Sequence, residues 1–424
     1  MAKMEKPYSD AQKGEKRKNY VITRWSIPFA GFLLALMGGF SYAWGVFIIP
    51  MEESFGWTKA QATLPFTVFV LVFAFFMIPA GRLQDMIGPR KVSAFGAVMF
   101  FIAYGLAALV DRFPYPWWLI MTYSLIGGIA CGLTYACVAP PARKWFPDRP
   151  GLAISFGVSG FGLAALVLAP LKANYLIPIY RIEGTFFIIA IITSSVSLFA
   201  SWLIRNPPIG WMPTGWKADN RTAKTVAVRQ ECTPRQMIKS PLFFIMWLAM
   251  AFVCAGGLIC IGLIPSYGHL TLGLSQTSAA LAMSFFAGFN GFGRPIAGFL
   301  GDRFGVVQVM ITTYIIQGLT FLFFSIFALN FTTLYIASAL LGWGYAVTLA
   351  LFPVLNSICF GTQHLGVNYG ILFTAFGISG LAPAIGSWLF DMTGSYTSIF
   401  VSAGVMAGIS VGLCMVLKKK YTLL

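Results

Sequence analysis

Gly81-Arg82-Leu83-Gln84-Asp85-Met86-Ile87-Gly88 and Gly298-Phe299-Leu300-Gly301-Asp302-Arg303-Phe304-Gly305 share one pattern, G-x-L-x-D-x-x-G, at widely separated places in the chain. Each stretch is a short polar break after a long apolar run. Each is also the second such break within its own half of the sequence. One copy would say little; two at equivalent places mark an internal duplication.

Reading outward from these loops, apolar runs of about 20 residues, the length a helix needs to cross a bilayer, recur twelve times. Their centres lie near Leu34, Val70, Val98, Ile126, Leu163, Ile191, Val253, Ala287, Ile316, Leu341, Phe376 and Gly408; they are numbered here as spans 1 to 12. Turn chemistry separates them at Pro50, Phe55-Gly56, Gly88-Pro89, Pro147 with Pro150, Gly273, Gly305 and Gly394-Ser395. The predicted fold is therefore an all-α membrane protein of twelve transmembrane helices in two pseudo-symmetric six-helix halves. Residues 25–204 form the first half and 242–417 the second. A polar, basic linker at 205–241 joins them, with short tails at 1–24 and 418–424. Composition agrees: 58% of residues are hydrophobic, 10% are charged and mean hydropathy is +0.78, whereas a soluble domain carries about 25% charged residues. The first apolar run opens near Trp25, is too long for a secretory leader and lacks a small-residue cleavage site, so it reads as span 1.

The formal net charge of +16 would suggest nucleic acid in a soluble protein. Its distribution gives another account. Of 29 basic residues, 24 fall in the tails, loop 2–3, loop 4–5 with Arg143, Lys144 and Arg149, loop 8–9 and the linker, all on one side, against Lys59, Arg112 and Arg181 on the other. By the positive-inside rule both termini are cytoplasmic, and the excess suits contact with anionic lipid rather than nucleic acid. The seven cysteines show no metal or redox spacing and read as small buried hydrophobes.

At the paired loops the chain resembles the major facilitator superfamily. That resemblance implies alternating access, with Asp85 and Asp302, beside Arg90 and Arg303, capping helix ends on the cytoplasmic side and holding one gate state. A narrower resemblance rests on Arg143-Lys144-Trp145-Phe146-Pro147-Asp148-Arg149-Pro150-Gly151 at the start of span 5, on Phe289-Asn290-Gly291-Phe292-Gly293-Arg294-Pro295 in span 8 and on Asn368-Tyr369-Gly370 opening span 11. These are similar to the corresponding segments of monocarboxylate porters and oxalate–formate antiporters.

Two basic residues, Lys172 and Arg294, fall inside spans, while no Asp or Glu falls squarely within one. An intramembrane ionisable residue is by default functional. Arg294 lies roughly 10 Å from the cytoplasmic end of span 8, counted at 1.5 Å per residue. Lys172 lies at the far end of span 5 and is expected to snorkel to the headgroups. Tyr135 in span 4 and Tyr345 in span 10 reach a depth similar to Arg294, and Asn290 sits one turn from it on the same face. The narrower resemblance implies that Arg294 and Tyr135 bind a substrate carboxylate. A guanidinium suits that task by forking onto two oxygens. Tyr345 reads equally as ligand or packing, and Tyr42 and Trp44 in span 1 as cavity or interfacial-belt residues. Where the oxalate–formate antiporters that it resembles carry a second cation in span 11, this chain has Phe376, which points to substrates of single negative charge such as lactate or pyruvate. Where the animal porters have an aspartate, it has Asn290, and His269 stands at an outer helix end and His364 in a cytoplasmic loop, so a proton has no evident protein carrier.

The expected function is a secondary transporter of small monocarboxylates with proton coupling, in a bacterial or archaeal cytoplasmic membrane, as a monomer without cofactors. An oxalate–formate-type anion exchanger is the alternative. No G-x-x-x-x-G-K-[ST] phosphate loop for a primary pump occurs. Catalytic carboxylate pairs, His-centred triads and metal clusters are likewise missing from the sequence, and the 37-residue linker is too short for the output domain of a receptor.

Overall fold

The computed structural model describes residues 10–208, 211–213 and 231–423. The predicted basic tail at 1–24 and linker at 205–241 thus fall partly outside the described residues, as do Lys3, Lys6, Lys217, Arg221, Lys224 and Arg229. The described chain is helical. Nine helical segments among the described residues are long and apolar enough to cross a membrane. One of these, Pro150–Leu203, holds spans 5 and 6 together. Span 8, helix Gln276–Phe304, is diluted by glycines and polar residues, and span 9, Val306–Leu322, is 17 residues long. With these two, all twelve spans are present, each containing its expected centre.

Most expected turns lie where the sequence puts them. Gly56, Gly88, Gly273, Gly305 and Gly394 all have positive φ. Pro50 differs: it lies inside helix Gly45–Phe55, and the left-handed Gly56 ends that helix instead. Span 1 is broken earlier, where helix Asp10–Gly38 passes into a 3₁₀ segment, Gly39–Ala43. Span 5 likewise ends in a π segment, Lys172–Leu176.

The halves meet along two seams that are equivalent by the internal duplication: span 5 on span 8, and span 2 on span 11. Both seams close backbone to backbone. A side chain at Gly298 would collide with the Gly151 carbonyl, and one at Gly81 with the Gly366 carbonyl. Only glycine permits this approach. These contacts sit at the end of the molecule that carries both G-x-L-x-D-x-x-G loops, called below the signature-loop end.

Candidate functional site

Span 8 is pressed between span 5 and span 10 by small residues. Gly291 abuts Gly162 and Leu163, while Gly293 abuts Ala346 and Trp343. Arg294 follows directly and is 0% exposed. Its Nε and Nη2 donate to Asn290 Oδ1 at 3.3 and 3.1 Å, and its Nη1 donates to the Val158 carbonyl of span 5 at 2.7 Å. The first pair follows from helical spacing, since residues four apart share a face. The last bond joins the two halves. Among the described residues no carboxylate pairs with Arg294, so neutral dipoles alone meet its charge.

Four phenols gather around this cation. Tyr42, Tyr135, Tyr345 and Tyr369 each lie close enough to couple electrostatically to Arg294. The Tyr42 and Tyr345 hydroxyls are 3.4 Å apart, a further polar link between halves. Tyr135 packs edge-on to Phe73 and Phe161, with ring centroids 5.5 and 5.4 Å away, and lies 5.7 Å from Phe373. Phe376, 1% exposed, stacks on Phe373 at 4.9 Å. The result is one guanidinium and several phenol donors set in an aromatic wall, suited to a small anion with a short apolar body. A cavity of about 640 Å³ lies elsewhere, on the outer face of spans 5, 8 and 10 beside Phe289, Phe292 and Trp343.

Of the expected site residues, Arg294, Tyr135, Asn290, Tyr345, Tyr42 and Phe376 thus converge, Asn290 by orienting the arginine. Trp44 does not join them: its Nε1 donates to the Ala62 carbonyl at 2.9 Å and its ring stacks on Tyr123 within the first half. Tyr369 and the Val158 carbonyl were missed. Tyr369 stands only four residues into helix Leu365–Ser379, where sequence depth alone suggests an interfacial residue. A backbone carbonyl leaves no sequence signal at all.

Two basic residues need correction. Lys172 does not snorkel: it is 2% exposed, its Nζ donates to the Phe40 carbonyl at 3.0 Å, and it lies over the Phe40 and Phe47 rings at 5.4 and 5.1 Å. The acceptor, Phe40, belongs to the 3₁₀ segment Gly39–Ala43 of span 1. Arg143, assigned above to a loop, is 4% exposed in helix Ala139–Trp145, and its Nε donates to Ser357 Oγ of span 10 at 3.1 Å.

At the signature-loop end the aspartates act as caps in trans. Asp302 accepts from the Gly151 and Leu152 N–H groups, at 2.7 and 2.8 Å, at the start of span 5. Asp85 accepts from Gly366 and Val367, at 3.2 and 3.0 Å, at the start of span 11. Helix N-termini present unsatisfied N–H groups and a positive dipole end, so each carboxylate is doubly favoured there. Arg90 and Arg303, expected beside them, are exposed and form no ion pair among the described residues; Arg303 lies over the neighbouring Phe304 ring.

Comparison with known proteins bears on this arrangement. The profile of the Major Facilitator Superfamily matches residues 29–295 and 270–422. The chain is 28% identical to the oxalate:formate antiporter of Oxalobacter formigenes over 83% of its own length and 81% of that protein's. It is 25% identical to monocarboxylate transporter 12 of Xenopus laevis, over 71% of this chain and 69% of the other. Among solved structures, the Escherichia coli fucose:proton symporter FucP superposes with a TM-score of 0.70 at 15% identity, covering 93% of this chain and 98% of that one.

Proposed function

This chain belongs to the Major Facilitator Superfamily, and from that membership we propose that it carries small monocarboxylate anions across a membrane by alternating access. It is a multi-pass membrane transporter and not an enzyme. The observation that carries the substrate class is Arg294: a fully buried guanidinium whose partners are an amide oxygen and a backbone carbonyl. A carboxylate that takes over those N–H groups gains charge-assisted, bidentate bonds. It must also displace the Arg294–Val158 bond between the halves, so binding itself loosens the seam. Tyr135 and its neighbouring phenols donate to the same anion, and the Phe73, Phe161, Phe373 and Phe376 rings receive a short apolar tail.

A single buried cation balances a single negative charge. A dianion would keep an uncompensated charge in a low-dielectric site, costing several kcal/mol. The reading therefore favours lactate- or pyruvate-like acids over oxalate. The signature-loop end is taken to face the cytoplasm of a bacterial or archaeal cell, with the basic loops against anionic lipid and the chain working as a monomer.

Exchange of one carboxylate for another is a second reading, and the absence of an acid beside Arg294 among the described residues favours it. With no protein group to neutralise the cation, the empty carrier must change state with a bare buried charge, which slows its return. Any proton in a symport cycle would then ride on the substrate carboxyl. Proteoliposomes distinguish the readings. Labelled lactate or pyruvate should enter against unlabelled internal substrate and be poorly displaced by oxalate. Net uptake into empty vesicles, driven by an acid-outside gradient, indicates symport; uptake only with internal substrate indicates exchange. Strong competition by oxalate would remove the single-charge argument. Phe376→Lys supplies the converse test: it should raise oxalate binding while lowering monocarboxylate uptake, because the added cation is compensated only by a second carboxylate.

A further inference from the structure

The two gate caps have a second layer, and it comes from the chain that leads into each half. Ahead of span 5, loop 4–5 is held by Arg24 at the beginning of span 1. The Arg24 guanidinium pairs with Asp148, two residues before Pro150, and lies 3.8 Å over the Phe146 ring. Ahead of span 11, loop 10–11 is held by Glu231, shortly before span 7. The Glu231 carboxylate accepts from the Thr362 N–H at 3.0 Å, the Thr362 hydroxyl at 3.2 Å and the Gln363 N–H at 2.8 Å. The adjoining Cys232 adds main-chain bonds: its N–H donates to Phe360 and its carbonyl accepts from Asn368 Nδ2, both at 3.0 Å. Gly361, at φ +88°, makes room for this strap, since a side chain there would strike the Glu231 carboxylate.

Spans 1 and 7 are equivalent under the duplication, as are loops 4–5 and 10–11. The same mechanical task is therefore done twice at the same place, once by a guanidinium on a side-chain carboxylate and once by a carboxylate on backbone N–H groups. In each case the clamp grips the turn immediately before the N–H groups that the opposite half's aspartate caps. Lys144 of the first half lies in the neighbourhood of both Asp85 and Glu231.

We infer that Arg24 and Glu231 are positioning residues of the transport cycle, each fixing the start of a gate helix so that Asp302 and Asp85, respectively, can close the signature-loop end. The inference concerns the gate and not the substrate, so it stands apart from the carboxylate reading. A cap on helix N–H groups works only while those groups point at the carboxylate. Releasing the preceding turn lets the first turn of the helix fray, and the closed state weakens without any change at the cap itself.

The test uses spin labels at the exposed positions Lys91 and Gln308 of the full-length protein, with distances read by pulsed electron resonance. Glu231→Gln and Arg24→Gln should each move the distribution towards the state open at the signature-loop end, with a change of roughly tenfold in the closed-to-open ratio expected from losing hydrogen bonds to a charged group. Glu231→Asp should restore part of it. The effect of Glu231→Gln should be less than additive with Asp85→Asn and additive with Asp302→Asn, and Arg24→Gln should show the opposite pairing. Unchanged distances in both single variants would overturn the inference, and so would a lowered melting temperature without a distance change, which is what a merely structural role gives. Additivity in every pairing would also overturn it.

Discussion

The Asp302 carboxylate accepts the Gly151 backbone N–H at 2.7 Å across the boundary between the two halves, while the Gly151 carbonyl lies against Gly298, one turn earlier on the helix that carries Asp302. Cap and close approach are therefore a single contact. Asp85 and Gly81 repeat it against Gly366. The closed end needs the carboxylate to satisfy the N–H groups and the absence of a side chain to let them come near.

Gly298→Ala separates these two requirements, because it keeps the carboxylate and blocks the approach. A methyl group there meets backbone atoms of Gly151, which cannot rotate away. The purified variant should remain folded by thermal melting, yet populate the state open at the signature-loop end. Cysteine substituted at Ser357, beneath the closed end, should become reactive to an impermeant thiol reagent in this background. Equal labelling with and without Gly298→Ala would refute the prediction.

Arg294→Lys should lower transport efficiency by roughly 10- to 100-fold, the range expected for losing hydrogen bonds to a charged group. Lysine retains the charge but is a point donor and cannot fork onto two oxygens. Initial rates of labelled uptake across substrate concentrations measure this. A variant within twofold of wild type would remove Arg294 from the site.

Tyr135→Phe and Tyr369→Phe should each raise the apparent substrate constant roughly tenfold with little change in expression. Both rings keep their packing against Phe373, so stability is spared and only a hydroxyl is lost. An unchanged constant in either variant assigns that tyrosine to packing alone.

Lys172→Glu should lower the melting temperature strongly, because a carboxylate would be buried against the Phe40 carbonyl and the electron-rich faces of Phe40 and Phe47. The expected loss is more than about 3 kcal/mol, the range for an unpaired buried charge. Lys172→Arg, which keeps the cation, should melt close to wild type. A snorkelling lysine would tolerate both changes, so similar melting of the two variants would contradict the buried placement.

Hydropathy and the repeated loop carried the twelve-helix fold, because a bilayer demands length and apolarity and little else. They also located Arg294, whose burial inside a span is anomalous on sequence alone. What the sequence could not convey is which face of an all-apolar helix meets a neighbour. Span 5 is apolar all round, so nothing in it distinguishes a lysine that reaches outward from one that turns in to a carbonyl. That carbonyl belongs to the 3₁₀ segment of span 1, a break that the apolar run does not announce. Pro50 was over-read for a related reason: proline removes one helical hydrogen bond, and adjoining turns can carry the helix through, whereas the left-handed Gly56 does end it. Arg143 looked like a loop residue because helix Ala139–Trp145 extends past the apolar run. The partners of Asp85 and Asp302 are backbone groups, invisible to any reading of side chains.

The glycine seams have a consequence for how this protein can be tuned. Where main chain rests on main chain, the glycines themselves have no side chain to enlarge, shrink or recharge by small steps. Substitution there gives all or nothing. Graded adjustment of the balance between open and closed forms must come from outside the seam, from the turns that feed it and the residues that brace them. Variation among related chains should accordingly be conservative along Gly81, Gly151, Gly298 and Gly366 and freer at Arg24, Asp148 and Glu231, where a change alters the set point of the cycle and leaves its geometry intact.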